Sequence, residues 1–196
     1  DGVLVGTEAL IRWRHPTRGL VEPDEFIPVV EQQHLIVPIG QWVLREAVRA
    51  ARRWRDAGRA LPVSVNVSSL QFRDVGFGAS VAQVLMDEGV GGEWLELEIT
   101  ERMLMEDVDA VVATLTDLKA LGVRIAIDDF GTGYSSLGYI QQFEFDVLKI
   151  DKSFVDGLET GTNRQIVTAV LDLESLRAYR GSFPVHLDAD RFELGL

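Results

Sequence analysis

The run Val123-Arg124-Ile125-Ala126-Ile127-Asp128-Asp129-Phe130-Gly131-Thr132-Gly133-Tyr134-Ser135-Ser136-Leu137 decides the fold. Its first residues alternate as a strand does. Val123, Ile125 and Ile127 share one face, and Arg124, Ala126 and Asp128 share the other. Two acids stand where this strand is expected to end, and Gly131 and Gly133 let the chain turn sharply behind them. Paired acids at such a point suit one or two divalent ions, which in two-metal sites lie about 4 Å apart. Upstream, Asp107–Leu121 has the amphipathic period of a helix and stops at Gly122.

The same unit recurs on both sides. Gly6–Trp13, Pro62–Val67, Trp94–Thr100 and Phe145–Ile150 also read as strands. From the second onward the strands are roughly 25–30 residues apart, the length of a strand, a helix and their connections. The intervening helices are Ile39–Ala57, ending at Gly58, and Ala79–Glu88, ending at Gly89; Asn163 caps a further one. In the first of these, Ile39, Trp42, Val43, Ala47, Ala50, Ala51 and Trp54 form the apolar stripe, and the arginines from Arg45 to Arg55 read as a solvated face. Alternation of strands and helices predicts a parallel sheet in an α/β fold.

One face of each strand is apolar. The opposite faces carry Ser64 and Asn66, Glu96 and Glu98, Arg124 and Asp128, Val147 and Lys149, and, on the first strand, Glu8, Leu10 and Arg12. Glu8 and Arg12 aside, the polar residues Asn66, Glu98, Asp128 and Lys149 fall near the C-terminal end of their strands, where barrel enzymes build their active sites. Glu8, Asn66, Glu98 and Asp128 form an oxygen-rich set suited to Mg2+ or Mn2+, and Arg12 and Lys149 supply cations for an anionic substrate.

Composition narrows the class. Nineteen Lys and Arg against 31 Asp and Glu give a charge of −12 over 196 residues, which argues against gripping polymeric nucleic acid through a broad basic surface. A small nucleotide held through metal ions stays compatible. The absence of cysteine excludes a thiolate metal site, a cysteine nucleophile and a disulfide scaffold. No apolar run approaches the roughly 20 residues of a membrane span. Asp1–Leu4 has no basic stretch of the signal-peptide kind, so the expectation is a cytoplasmic domain, or the cytoplasmic part of a membrane-bound parent.

Glu8-Ala9-Leu10, followed by Ile11-Arg12-Trp13-Arg14-His15-Pro16, resembles the signature of the EAL domains, phosphodiesterases of the bacterial second messenger cyclic di-GMP. Asn66-Val67-Ser68, Glu96-Leu97-Glu98-Ile99-Thr100-Glu101, the Asp128–Gly133 run and Leu148-Lys149-Ile150-Asp151 resemble the family's later motifs in order. The resemblance implies a TIM-type (β/α) barrel that hydrolyses cyclic di-GMP to linear pGpG with Mg2+ or Mn2+. It assigns Glu8, Asn66, Glu98 and Asp128 to metal ligation and Asp129 to ligating or orienting a second metal. Lys149 would hold the attacking water or stabilise phosphoryl charge. Arg12 would contact a substrate phosphate, with Leu10 also at the substrate. Glu101 would brace the loop Gly131–Leu137. The resemblance admits a homodimer, and a diguanylate cyclase-like or sensory domain upstream in the parent protein.

The likeness runs from about Gly6 to Leu173. The expectation is a partial domain over residues 1–173, an incomplete barrel whose last strands are missing or replaced, and an atypical tail over 174–196. Neither Asp188 nor Asp190 sits in a version of the family's late Ala-Glu-Gly-Val-Glu motif, and its Gln-Gly-Tyr motif has no counterpart. The competing expectations are a phosphodiesterase, a cyclic di-GMP sensor without catalysis, and a dimerising interaction module.

Overall fold

The computed structural model describes residues 6–105, 107–131 and 143–151. In chain order the first elements are β1 (Thr7–Ala9), β2 (Trp13–His15), β3 (Gly19–Val21), α1 (Pro23–Gln32), α2 (Ile36–Asp56), β4 (Val63–Asn66) and α3 (Ser69–Phe72). There follow α4 (Phe77–Glu88), a 3-10 turn (Gly92–Trp94), β5 (Leu95–Thr100), α5 (Glu101–Leu104), α6 (Val108–Ala120), β6 (Arg124–Phe130) and β7 (Val147–Ile150). The expected helix after Asn163, the tail and the loop beyond Gly131 lie outside the described residues. Among those described, no helix is long and apolar enough to cross a membrane.

The chain forms two compact units, the first drawn from Asp1–Ile99 and Asp107–Ile125, the second from Thr100–Glu106 and Ala126–Leu196. In the first unit β1, β4, β5 and the start of β6 are neighbours in that order. The β1–β4 and β4–β5 pairs are parallel, as the alternation of strands and helices predicts. Val63, Val65, Leu95, Leu97 and Ile99 on one face are almost wholly buried, with Leu44, Val48 and Ala51 of α2, Val81 and Val84 of α4, and Leu115 and Leu118 of α6 completing this core. Each Val, Leu or Ile among them contributes roughly 1.5–3 kcal/mol by leaving water.

Local signals set the helix ends. Ser68 caps α3 by accepting a hydrogen bond from Gln71 N at 3.2 Å. Asp107 caps α6 through Ala110 N at 3.3 Å. Gly89, left-handed at φ 61°, closes α4. In the second unit β6 continues to Phe130 and pairs in parallel with β7.

Three expectations change. The expected strand Gly6–Trp13 is two strands, because β1 ends at Ala9 and Trp13 begins an antiparallel hairpin with β3. The Trp13 ring meets those of His15, with centres 4.7 Å apart, and Phe26 of α1, with centres 6.0 Å apart, both at steep angles. The alternation therefore does not carry Leu10 and Arg12 onto the face of Glu8. The long helix starts at Ile36, and its buried stripe is Ile36, Gly40, Leu44, Ala47, Val48 and Ala51. Trp42, assigned to the stripe from the sequence, is 58% exposed. Third, the arginine face is largely exposed as expected but also carries ion pairs. Arg49 Nε lies 2.8 Å from Glu88, Arg45 pairs with Asp87, and Arg55 Nη1 donates to the Gly89 carbonyl at 3.2 Å. Cations thus meet the C-terminal, negative end of α4.

Candidate functional site

In the first unit the strand register builds a polar face. Glu8 is level with Ser64, and Ser64 with Glu96. Two residues onward, Asn66 is level with Glu98. Level residues of parallel strands point to the same side, so these five side chains share the face opposite the apolar core. Glu8 is the middle residue of a three-residue strand, one position from its C-terminal end, closer to that end than the longer expected strand implied. Its Oε1 accepts a hydrogen bond from Asn66 Nδ2 at 2.7 Å. Glu98 is 1% exposed, and its backbone carbonyl accepts from Val67 N at 2.9 Å, which extends the ladder past Asn66. Burying a carboxylate costs several kcal/mol, so its retention calls for a compensating interaction or a function.

Arg12 lies in the connection between β1 and β2. Its Nε is 2.7 Å from Glu22 Oε2, and its Nη1 donates to the Ile11 carbonyl at 2.9 Å. Glu22 belongs to no motif in the sequence; its only signal is its position just before Pro23 at the start of α1. Leu10, in the same connection, is 55% exposed.

The second unit holds the acid pair. Between Ile127 and Phe130 of β6, three steps of chain face the two from Leu148 to Ile150 of β7. This is a β-bulge, and within it Asp129 adopts the left-handed conformation at φ 55°. A regular strand sends neighbouring side chains to opposite faces, and the bulge interrupts the register across the stretch that holds the two acids. The Asp129 carboxyl is pushed above its ordinary range, first by partial burial, then by the negative charges of Asp128 and Asp151; Lys149 pulls it the other way. Asp151, whose amide donates to the Phe130 carbonyl at 3.1 Å, thereby joins the acid group. Its signal in the sequence was its place one residue beyond β7. Glu101 opens α5, and its Oε2 accepts a hydrogen bond from Gly131 N at 3.1 Å. It holds the first residue after β6, which is left-handed at φ 98°.

The structure thus brings Glu8 to Asn66, Asp129 to Asp128, Asp151 and Lys149, and Glu101 to Gly131. Among the described residues no three His, Cys, Asp or Glu side chains already stand as a metal-holding group. The donors are nonetheless carboxylate and amide oxygens, the kind that Mg2+ and Mn2+ take. Partial burial, and after it the charges of Asp128 and Asp151, raise the Asp129 pKa, and a cation would offset both, so the chemistry of the set fits one.

Parallel strands interleaved with helices, with acids and an amide on a face turned from the apolar core, define an α/β domain of the TIM-barrel type with an acidic site. The chain belongs to the EAL domain family, whose model matches residues 1–175. An uncharacterized signaling protein of Caulobacter vibrioides is 48% identical over 174 residues, 88% of this chain and 21% of that protein. The bifunctional diguanylate cyclase/cyclic di-GMP phosphodiesterase MucR of Pseudomonas aeruginosa is 45% identical over 175 residues, 88% of this chain and 26% of that protein. This chain therefore spans about a quarter or less of these relatives. The solved MucR phosphodiesterase in complex with c-di-GMP superposes with a TM-score of 0.86 at 40% identity, covering 98% of this chain and 77% of that one.

Proposed function

We propose that this chain binds cyclic di-GMP and, with Mg2+ or Mn2+, hydrolyses one of its phosphodiester bonds to give linear pGpG. The observation that carries this reading is the acid pair Asp128 and Asp129 at the bulge of β6, where Asp129 is left-handed and its carboxyl is pushed up by partial burial and then by the charges of Asp128 and Asp151, with Lys149 acting against them. Likeness to a relative solved with c-di-GMP supports the choice of nucleotide. Glu8, Asn66, Glu98, Asp128 and Asp129 would hold the metal. When bound, the ion makes water a nucleophile at neutral pH and offsets phosphoryl charge. Lys149 places a cation where charge develops on the phosphoryl oxygens. Arg12 exchanges Glu22 for a substrate phosphate, and Leu10 offers apolar contact to the nucleotide. No covalent intermediate on the protein is required. The family range also includes a sensor that binds the nucleotide without cleaving it.

The test is cyclic di-GMP turnover and affinity with Mn2+, with a chelator, and in three variants. A chelator and Glu8→Ala should each abolish turnover. Lys149→Ala should lower kcat by about 10²–10³-fold, with KM little changed. Arg12→Ala should raise KM instead, because its contact is already made in the ground state. Undiminished turnover in Glu8→Ala, or in chelator, would overturn the mechanism. Tight metal-independent binding without cleavage would replace it with the sensor reading.

A further inference from the structure

Ser64, Glu96 and Arg124 lie in the first unit on three neighbouring strands, and nothing in the proposed reaction uses them. Glu96 is 8% exposed. Ser64 Oγ donates to its Oε1 at 2.7 Å, and Arg124 Nη2 stands 3.4 Å from its Oε2. The cost of burying this carboxylate is met by a hydroxyl from β4 and a guanidinium from β6. The location matters more than the pairing. Ser64 and Glu96 are level with each other, and the next residues on the same face of the same two strands are Asn66 and Glu98. Glu8, which receives the Asn66 hydrogen bond, is level with Ser64. Three carboxylates therefore share this stretch of one face, and Arg124 brings a positive charge to it.

We propose that Ser64, Glu96 and Arg124 form a positioning layer that fixes the Asn66 amide and the Glu98 carboxylate at the spacing a divalent cation requires. Arg124 pairs with the Glu96 charge, and the Ser64–Glu96 hydrogen bond ties β4 to β5 one level before Asn66 and Glu98. These are positioning residues, acting through Asn66 and Glu98. The inference rests on the proposed metal site for its consequence, but its structural content is independent of turnover.

The test uses Arg124→Met, Arg124→Lys, Glu96→Gln and the Arg124→Met, Glu96→Gln double variant. Three quantities are measured: the urea unfolding midpoint, the NMR cross-peak of the Asn66 side-chain amide without metal, and Mn2+ affinity by paramagnetic resonance of the free ion. Arg124→Met alone should be destabilised, because it strips a buried carboxylate of its cation; the double variant should recover stability. In the double variant the Asn66 amide should still move toward the position of an unbonded asparagine, and Mn2+ affinity should fall about 10-fold. Arg124→Lys should keep both near wild type. If the double variant recovers stability with the Asn66 amide unmoved, the layer only stabilises the fold and the proposal is overturned. If the amide moves but the wild type neither binds Mn2+ nor cleaves cyclic di-GMP, positioning stands and the phosphodiesterase reading fails. The double variant and Arg124→Lys carry the test if Arg124→Met alone does not fold.

Discussion

At Asp129 the backbone and the charge pull in different directions. The left-handed backbone favours Asn, Asp or Gly over other residues, while the neighbouring acids disfavour a second negative charge. A carboxyl whose folded pKa is raised binds its proton more tightly in the fold than in the unfolded chain. Its contribution is therefore full below the ordinary value of 3.8 and is lost as pH rises through the folded pKa. Asp129→Asn keeps the backbone preference and removes the repulsion. In chelator it should raise Tm near pH 7 and leave it unchanged near pH 3, read by thermal melts across pH. With Mn2+ the order should reverse, the wild type gaining more. An Asn variant that melts lower than wild type in chelator at neutral pH would refute the crowding. The two acids were plain in the sequence. The bulge was not, because alternation marks a strand but does not register an extra residue that only the partner strand reveals. The face of Arg12 was misplaced for a related reason: alternation was extended past Ala9, where the chain leaves the parallel sheet for a hairpin.

Among the elements, the entry into β5 is the tightest junction. A Cβ on Gly92 would collide with the Leu121 carbonyl oxygen and lie 2.8 Å from Gly122 C and Val123 N. These are backbone atoms of the turn that leads into β6, and they have no rotamer by which to yield. Gly92→Ala should cost about 1–3 kcal/mol. Gly78, in the first turns of α4, would place its Cβ at ordinary contact distance, 3.5 Å from Asp117 Cβ. Gly78→Ala should therefore stabilise by up to about 1 kcal/mol through helix propensity. Urea midpoints of the two variants should move in opposite directions, and parallel shifts would contradict the packing described. Element type was legible from period and glycine stops, as at Gly89 and Gly122. Which face of α2 is buried was not. Trp42 looks like core by hydropathy, yet the sheet side takes Gly40 and Ala47, where small residues allow close approach and Gln71 of α3 packs against Gly40.

For the whole molecule, a charge of −12 sets the approach of an anionic nucleotide. Long-range repulsion slows encounter, and salt screens it. Between about 10 mM and 150 mM NaCl the Debye length falls from roughly 30 Å to 8 Å. At saturating Mn2+ the association rate of cyclic di-GMP should rise over this range, measured by stopped flow. A polynucleotide-binding protein loses affinity with added salt, and such a loss here would contradict the reading. The parallel α/β plan was legible because β4, β5, β6 and β7 each carried an apolar and a polar face in a single run of residues. The pairing of Asn66 with Glu98 was not, since register is fixed between strands and no single strand states it. That register also governs which changes of chain length the gene tolerates. One codon added to a loop between helix and strand leaves every side chain facing as before. One codon added inside Val63–Asn66 or Leu95–Thr100 turns the residues beyond it over, exchanging Asn66 or Glu98 for an aliphatic neighbour. Insertions and deletions should therefore accumulate in the connections of this domain and be purged from its strands, even where every inserted residue is itself a good strand former.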